Sequence, residues 1–131
     1  MAGYSGTPLP QKLGIKDGAR VRIAGAPDGF ARSIGVVPRL RGEADVIVLF
    51  ARRRGDLARE FPRLQRSLHP AGGLWVAWPK KSSGVATDLT ENAVRDLGLA
   101  RGLVDNKVCA IDETWSGLRL VIRRELRTAG S

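Results

Sequence analysis

Two apolar stretches decide the fold: Ala44-Asp45-Val46-Ile47-Val48-Leu49-Phe50 and Leu74-Trp75-Val76-Ala77-Trp78. The first is a continuous β-branched and apolar run, the pattern of a strand buried on both faces. Between the two, Leu57, Phe61, Leu64 and Leu68 recur at i, i+4, i+7 and i+11, so one stripe of a helix over 56–68 faces a core. Strand, helix, strand in that order predicts parallel neighbours joined by a right-handed crossover, with 44–50 central in the sheet. Pro62 lacks a donor and should kink or restart the helix. His69-Pro70-Ala71-Gly72-Gly73 should end it, with His69 favourably placed at the helix dipole.

Outward from this unit the alternation continues. Toward the N-terminus, Ala19 to Ala24 alternates like a strand and Gly25-Ala26-Pro27-Asp28-Gly29 is a tight loop. Asp28 there is placed to N-cap a short helix carrying Phe30 and Ile34 on one face. Val36 to Leu40 reads as a second short strand. Toward the C-terminus, Asp88-Leu89-Thr90-Glu91 has capping-box spacing, with Leu89, Ala93, Val94 and Leu97 on the buried face and Gly98 as the stop. Val104 to Ile111 and Leu118 to Ile122 read as strands, and Asp112 to Gly117 is short enough to make them an antiparallel hairpin. The result is one α/β domain over 19–125, a mainly parallel sheet closed by an antiparallel hairpin strand. An opening segment, 1–18, precedes it and a frayed tail, 126–131, follows.

Composition narrows the function. The 131 residues carry 22 basic and 13 acidic side chains, a net charge of +9. Residues 1–66 hold 13 basic and 6 acidic groups (net +7), and residues 67–131 hold 9 and 7 (net +2). An electropositive surface therefore belongs mainly to the first half. Cys109 and His69 are single, which excludes a disulfide framework and clusters of cysteine or histidine around a metal. No run approaches the roughly 20 apolar residues of a membrane span, and Met1 to Pro10 lack the pattern of a secretory signal. A cytoplasmic protein with no membrane partner is expected.

The stretch Leu64 to Val76, with its helix, Pro70, Gly72-Gly73 and following strand, resembles the Rossmann-like methyltransferases that use S-adenosylmethionine. Together with the helix ending at Gly98-Leu99 and the terminal hairpin, the resemblance spans about 44–124. It implies a three-layer sheet in which the last strand inserts antiparallel beside 74–78. The family's first loop carries an acidic residue and closely spaced glycines. Here the matching stretch is Ile23 to Gly29, with Pro27 inside it. Its second strand ends in an acidic residue for the ribose hydroxyls, whereas this chain runs into Arg39-Leu40-Arg41. No cofactor is expected on that basis. More specifically, Trp75 to Lys81, Asp88 to Asn92, Val104 to Ala110 and Trp115 to Arg119 resemble a family of small bacterial proteins to which no activity is attached, and Gly3 to Gly18 fits its opening.

Ligands of open α/β sheets sit outside the carboxyl ends of the strands. Three loops should meet there: Gly25 to Gly29, Arg52-Arg53-Arg54, and Pro79-Lys80-Lys81-Ser82-Ser83-Gly84. The ligand-binding candidates are Gly25, Gly29, Arg52, Lys80, Lys81, Ser82, Ser83, Thr90 and Asn92. They supply charge, hydroxyls and exposed amides for a phosphate or carboxylate. The plain alternative is a solvated loop whose Lys80 and Lys81 pair with Asp88 and Glu91. Trp115, beside Asp112, Glu113 and Ser116, is a candidate partner anchor or a ring folded over an apolar edge. Cys109 reads as a structural thiol. No nucleophile, base and orienting group assemble, so no catalytic residue and no metal ligand is assigned. The expected function is a non-catalytic module binding an anionic small molecule or an acidic protein surface. A reduced methyltransferase and nonspecific nucleic-acid binding are the alternatives.

Overall fold

The strand at 74–78 is the hub of the sheet because its side chains are apolar on both faces and its backbone must be paired on both edges. The computed structural model describes residues 7–127. In chain order the elements are α1 (Leu9–Lys12), β1 (Val21–Ala24), α2 (Phe30–Ser33), β2 (Ala44–Phe50), α3 (Arg54–Arg66), β3 (Leu68–Pro79), α4 (Glu91–Ala100), β4 (Leu103–Ala110), β5 (Trp115–Ile122) and α5 (Arg124–Arg127). They form a mixed α/β arrangement around one open five-stranded sheet of order β1-β2-β3-β5-β4. The β1–β2 and β2–β3 pairs are parallel, and β5 lies antiparallel to both β3 and β4. The parallel pairing of 44–50 with 74–78 and the antiparallel hairpin strand are as expected. The middle of the sheet, however, is β3 and not 44–50.

Two apolar clusters lie on opposite faces. Ile47, Leu49, Leu74, Val76, Trp78, Leu118 and Leu120 pack under Leu57, Phe61 and Leu64 of α3 and Val94 of α4. On the other face Val46, Val48, Phe50, Trp75 and Ala77 meet Leu13, Phe30, Ile34, Ile111 and Trp115. Trp75 and Trp78 thus point oppositely, as their odd spacing requires. The buried Trp75 indole donates from Nε1 to the Leu13 carbonyl at 3.0 Å, which ties the segment before β1 to the middle of the sheet.

Several local expectations are corrected. Residues 36–40 form no strand. Gly35 turns the chain at φ +71° and Pro38 has no donor, so the segment makes a single backbone bond to β1, from Arg39 N–H to the Val21 carbonyl. Asp28 caps nothing; Gly29, at φ +82°, holds the N-cap position of α2. Pro62 does not interrupt α3. The bond it forfeits is to the Ala58 carbonyl, on an exposed residue where water can substitute. α3 ends at Arg66, so His69 stands in β3 rather than at the helix end, its Nδ1 accepting from the Ala71 amide. Gly98 does not stop α4. It is a buried interior position where a Cβ would lie 2.7 Å from Leu120, and Gly102 makes the left-handed turn instead. Residues 126–127 of the expected frayed tail are the end of the short turn α5, and residues 128–131 lie outside the described residues, as do 1–6 of the opening segment.

The start of β1 is locked to β2 by charge. Asp45 accepts from the Arg20 amide (2.8 Å), Nε (3.1 Å) and Nη2 (2.9 Å), and Glu43 adds a contact at 3.3 Å. The Arg20 side chain, followed by its amide, pulls the Asp45 carboxyl from 3.8 down to about 2. A depressed carboxyl stabilises the fold above its unfolded pKa, and that contribution fades as pH falls through the folded value. Asp45→Asn should therefore lower the melting temperature at neutral pH and flatten its acid dependence between about pH 4 and pH 2. Thermal melts of both proteins across that window check it.

Candidate functional site

β1, β2 and β3 are parallel, so the loops that follow them leave the same edge of the sheet. The first of these loops turns at Gly25, whose φ is +70°. A Cβ there would lie 2.6 Å from the Phe50 carbonyl oxygen, so only glycine lets the ends of β1 and β2 approach this closely. The approach shapes a cleft of about 420 Å³, lined by Ala24 to Pro27, Leu49 to Arg52, Asp56, Arg59, Glu60 and Trp115. Its floor is backbone and apolar. Its α3 wall is charged, with Arg59 Nη2 at 2.6 Å from Asp56 and Arg63 at 2.6 Å from Glu60.

The sequence-assigned residues divide between two neighbouring places. Gly25 and Arg52 line the cleft, whereas Gly29 lies beside a separate groove near Pro38. Lys80, Lys81, Ser82, Ser83, Thr90 and Asn92 lie outside the cleft, in the loop after β3 and the first turn of α4. That loop is well braced. The Lys80 amide donates to the Thr114 carbonyl at 2.8 Å, and a single 3-10 turn covers Lys81–Ser83. Ser83 Oγ donates to the Lys80 carbonyl and accepts from the Val85 amide. Thr90 Oγ1 accepts from the Ala93 amide as the N-cap of α4, and Asn92 accepts from Arg95. Ser83, Thr90 and Asn92 are thus engaged in local structure, while Ser82 is exposed.

The capping box expected at Asp88 is also rearranged. Asp88 Oδ1 accepts from the Arg54 amide at 2.7 Å, and Arg54 Nε donates back to the Asp88 carbonyl at 3.0 Å. Asp88 therefore caps α3 rather than α4. Thr87 and the Asp88 amide both donate to the Arg52 carbonyl, so the second and third edge loops are stitched together. Glu91 is held by Arg95 at 2.6 Å. Neither acid is left for Lys80 or Lys81. Among the described residues none of Arg52, Arg53, Lys80 and Lys81 has a carboxylate within 4.0 Å.

Trp115 is buried at 8% exposure, edge-on to Phe50 with centroids 5.0 Å apart. Its ring closes the apolar edge and reaches the cleft, and too little of it is exposed to anchor a partner. Sequence reading missed Asp56, Arg59 and Glu60. Their signal was the helical spacing that puts Asp56 and Glu60 on one face just after Arg52. Cys109 is half-buried, and burial pushes its thiol pKa up despite Lys107 and Lys12 nearby. No group of three His, Cys, Asp or Glu among the described residues is placed to hold a metal ion, and no helix there is long and apolar enough to cross a membrane.

No protein-family model and no curated protein matches the chain. Among solved structures it is similar to one described as LepI in complex with SAM, with TM-score 0.46 and 8% identity over 88% of this chain. The chain spans only 39% of that protein's length, and a likeness so distant assigns no activity.

Gly25→Ala tests the geometry of the cleft. The left-handed backbone and the Phe50 carbonyl together should cost about 1–3 kcal/mol, read as a lower denaturation midpoint. Gly29→Ala, where nothing lies within 4 Å of the added Cβ, should lose less.

Proposed function

We infer that this chain is a non-catalytic binding module that takes an anionic small molecule at the carboxyl edge of its sheet. The observation that supports the reading is the set of four cations, Arg52, Arg53, Lys80 and Lys81, left without a carboxylate within 4.0 Å among the described residues, where two adjacent parallel strands end. Here Asp88 and Glu91 are committed elsewhere, to the start of α3 and to Arg95. The field they leave attracts a phosphate or carboxylate, and Arg52 extends it into the neighbouring cleft. On this reading the parallel half of the sheet, with helices against it, is a Rossmann-like arrangement that carries binding without chemistry.

A panel of inorganic phosphate, pyrophosphate, citrate and phosphorylated sugars, screened by thermal shift, tests the reading. A ligand at 100 times its Kd stabilises the fold by about 2.7 kcal/mol. The double variant Lys80→Ala/Lys81→Ala should lose that shift while its own melting temperature stays close to wild type, since exposed charges contribute only about 0–1 kcal/mol. A variant that keeps the ligand response sinks the proposal.

One observation favours a second reading, a reduced methyltransferase: the concave, glycine-lined cleft beside Gly25 to Pro27. Against it, Pro27 offers no amide, and the two carboxylates that reach the cleft, Asp56 and Glu60, are held by Arg59 and Arg63 rather than left for ribose hydroxyls. Two lost hydrogen bonds amount to about 2–4 kcal/mol, roughly 30- to 1,000-fold in affinity. Calorimetric titration with S-adenosylmethionine should show no micromolar binding; saturable heat in that range would put the second reading first.

A further inference from the structure

An anion held at the carboxyl edge leaves most of the neighbouring cleft unfilled. The cleft measures about 420 Å³ and meets the set of unpaired cations at one residue, Arg52. A phosphate or carboxylate group takes the room of only a few water molecules, each about 30 Å³. Whatever carries the anionic group therefore has space for a body beside it.

The lining defines the character of that body. Four of its residues are charged: Arg52, Asp56, Arg59 and Glu60. Arg59 Nη2 lies 2.6 Å from Asp56, and Glu60 lies 2.6 Å from Arg63 and 3.8 Å from Arg59 Nε. Two acids and two arginines thus cancel along α3. Arg52, which is exposed, is the one charged residue of the lining without a carboxylate within 4.0 Å among the described residues. The remaining walls carry no charge. Ala24, Gly25, Ala26 and Ala51 offer nothing longer than a methyl group, and the rings of Phe50 and Trp115 stand behind them. The hollow exists because these positions are small, and Gly25 is held to that size by the Phe50 carbonyl.

We propose that the ligand is an amphiphilic anion, with its phosphate or carboxylate against Arg52 and a compact apolar body filling the cleft as far as Trp115. Small-molecule sites pair a largely apolar hollow with a few placed polar groups in this way. The proposal rests on the anion-binding reading above and narrows it to aryl or short acyl phosphates and carboxylates. Inorganic anions and sugar phosphates have little apolar surface to bury and bind more weakly. An uncharged apolar molecule of the same size lacks the contact with Arg52.

The test titrates the full-length, isotope-labelled protein with inorganic phosphate, phenyl phosphate and benzyl alcohol. Phenyl phosphate should bind about tenfold tighter than inorganic phosphate or better, the gain expected from burying one ring. It should shift the Trp115 indole N–H resonance saturably, and benzyl alcohol should bind at least about tenfold more weakly than phenyl phosphate. Ala26→Leu, which adds a side chain to the lining, should bring phenyl phosphate down to the affinity of inorganic phosphate. The Trp115 shift in the unaltered protein reads the same site should that variant fail to fold. Three results, each with inorganic phosphate still bound, would overturn the amphiphilic ligand and leave the anion site standing: equal affinity for the two phosphates, benzyl alcohol binding as tightly as phenyl phosphate, or phenyl phosphate binding with no shift at Trp115. No response to either phosphate would overturn both.

Discussion

The double-sided pairing of β3 is the constraint on which the remainder of the structure depends. Its residues from Gly72 to Pro79 are all buried, so every amide and carbonyl in that run must find a partner within the protein. β2 satisfies one edge in parallel and β5 the other in antiparallel. The first requirement forces a crossover, which α3 provides. The second brings the last strand of the chain into the interior and sends β4, the strand before it, to the rim. The chain's early and late segments are therefore bonded to the same strand. Trp75 adds a third attachment, through its indole, to the segment before β1.

The fold was legible wherever one physical signal acted alone. Continuous apolar runs at 44–50 and 74–78 could only be strands inside a sheet, and the i, i+4, i+7 stripe between them could only be a helix covering it. Reading failed where a residue had two available partners. Asp88 has the right spacing from Glu91 for a capping box, but it also reaches the amide of Arg54, which is distant in sequence. Thr90 was left to cap α4 alone. Gly98 failed likewise: glycine ends helices, yet it also permits close packing, and the approach of Leu120 decides between the two. Such choices rest on tertiary contacts, which spacing along the chain does not encode.

The candidate site was legible as a place in the fold more than as a set of residues. That cations would gather at the carboxyl edge followed from sheet direction and from Arg52, Lys80 and Lys81. That Ser83, Thr90 and Asn92 would be absorbed by turns and caps did not, because a hydroxyl or amide near a positive loop looks the same whether it faces a ligand or its own backbone. The cleft required the opposite kind of information. Gly25 signals a sharp turn, but only the position of the Phe50 carbonyl shows that the turn presses one strand end against another and leaves a hollow behind it.

The bond between Asp88 and the Arg54 amide has a further effect. A carboxylate that caps a helix belonging to another part of the chain acts as a strut, and it is withdrawn from the counter-ion cloud of its own loop. Glu91 is withdrawn in the same way by Arg95. Although the chain carries 13 acids against 22 bases, the two acids that follow the Lys80–Lys81 loop most closely in sequence are thus already engaged. The charge contrast between edge and surroundings is set less by how many acidic residues the sequence contains than by how many of them the architecture has already occupied.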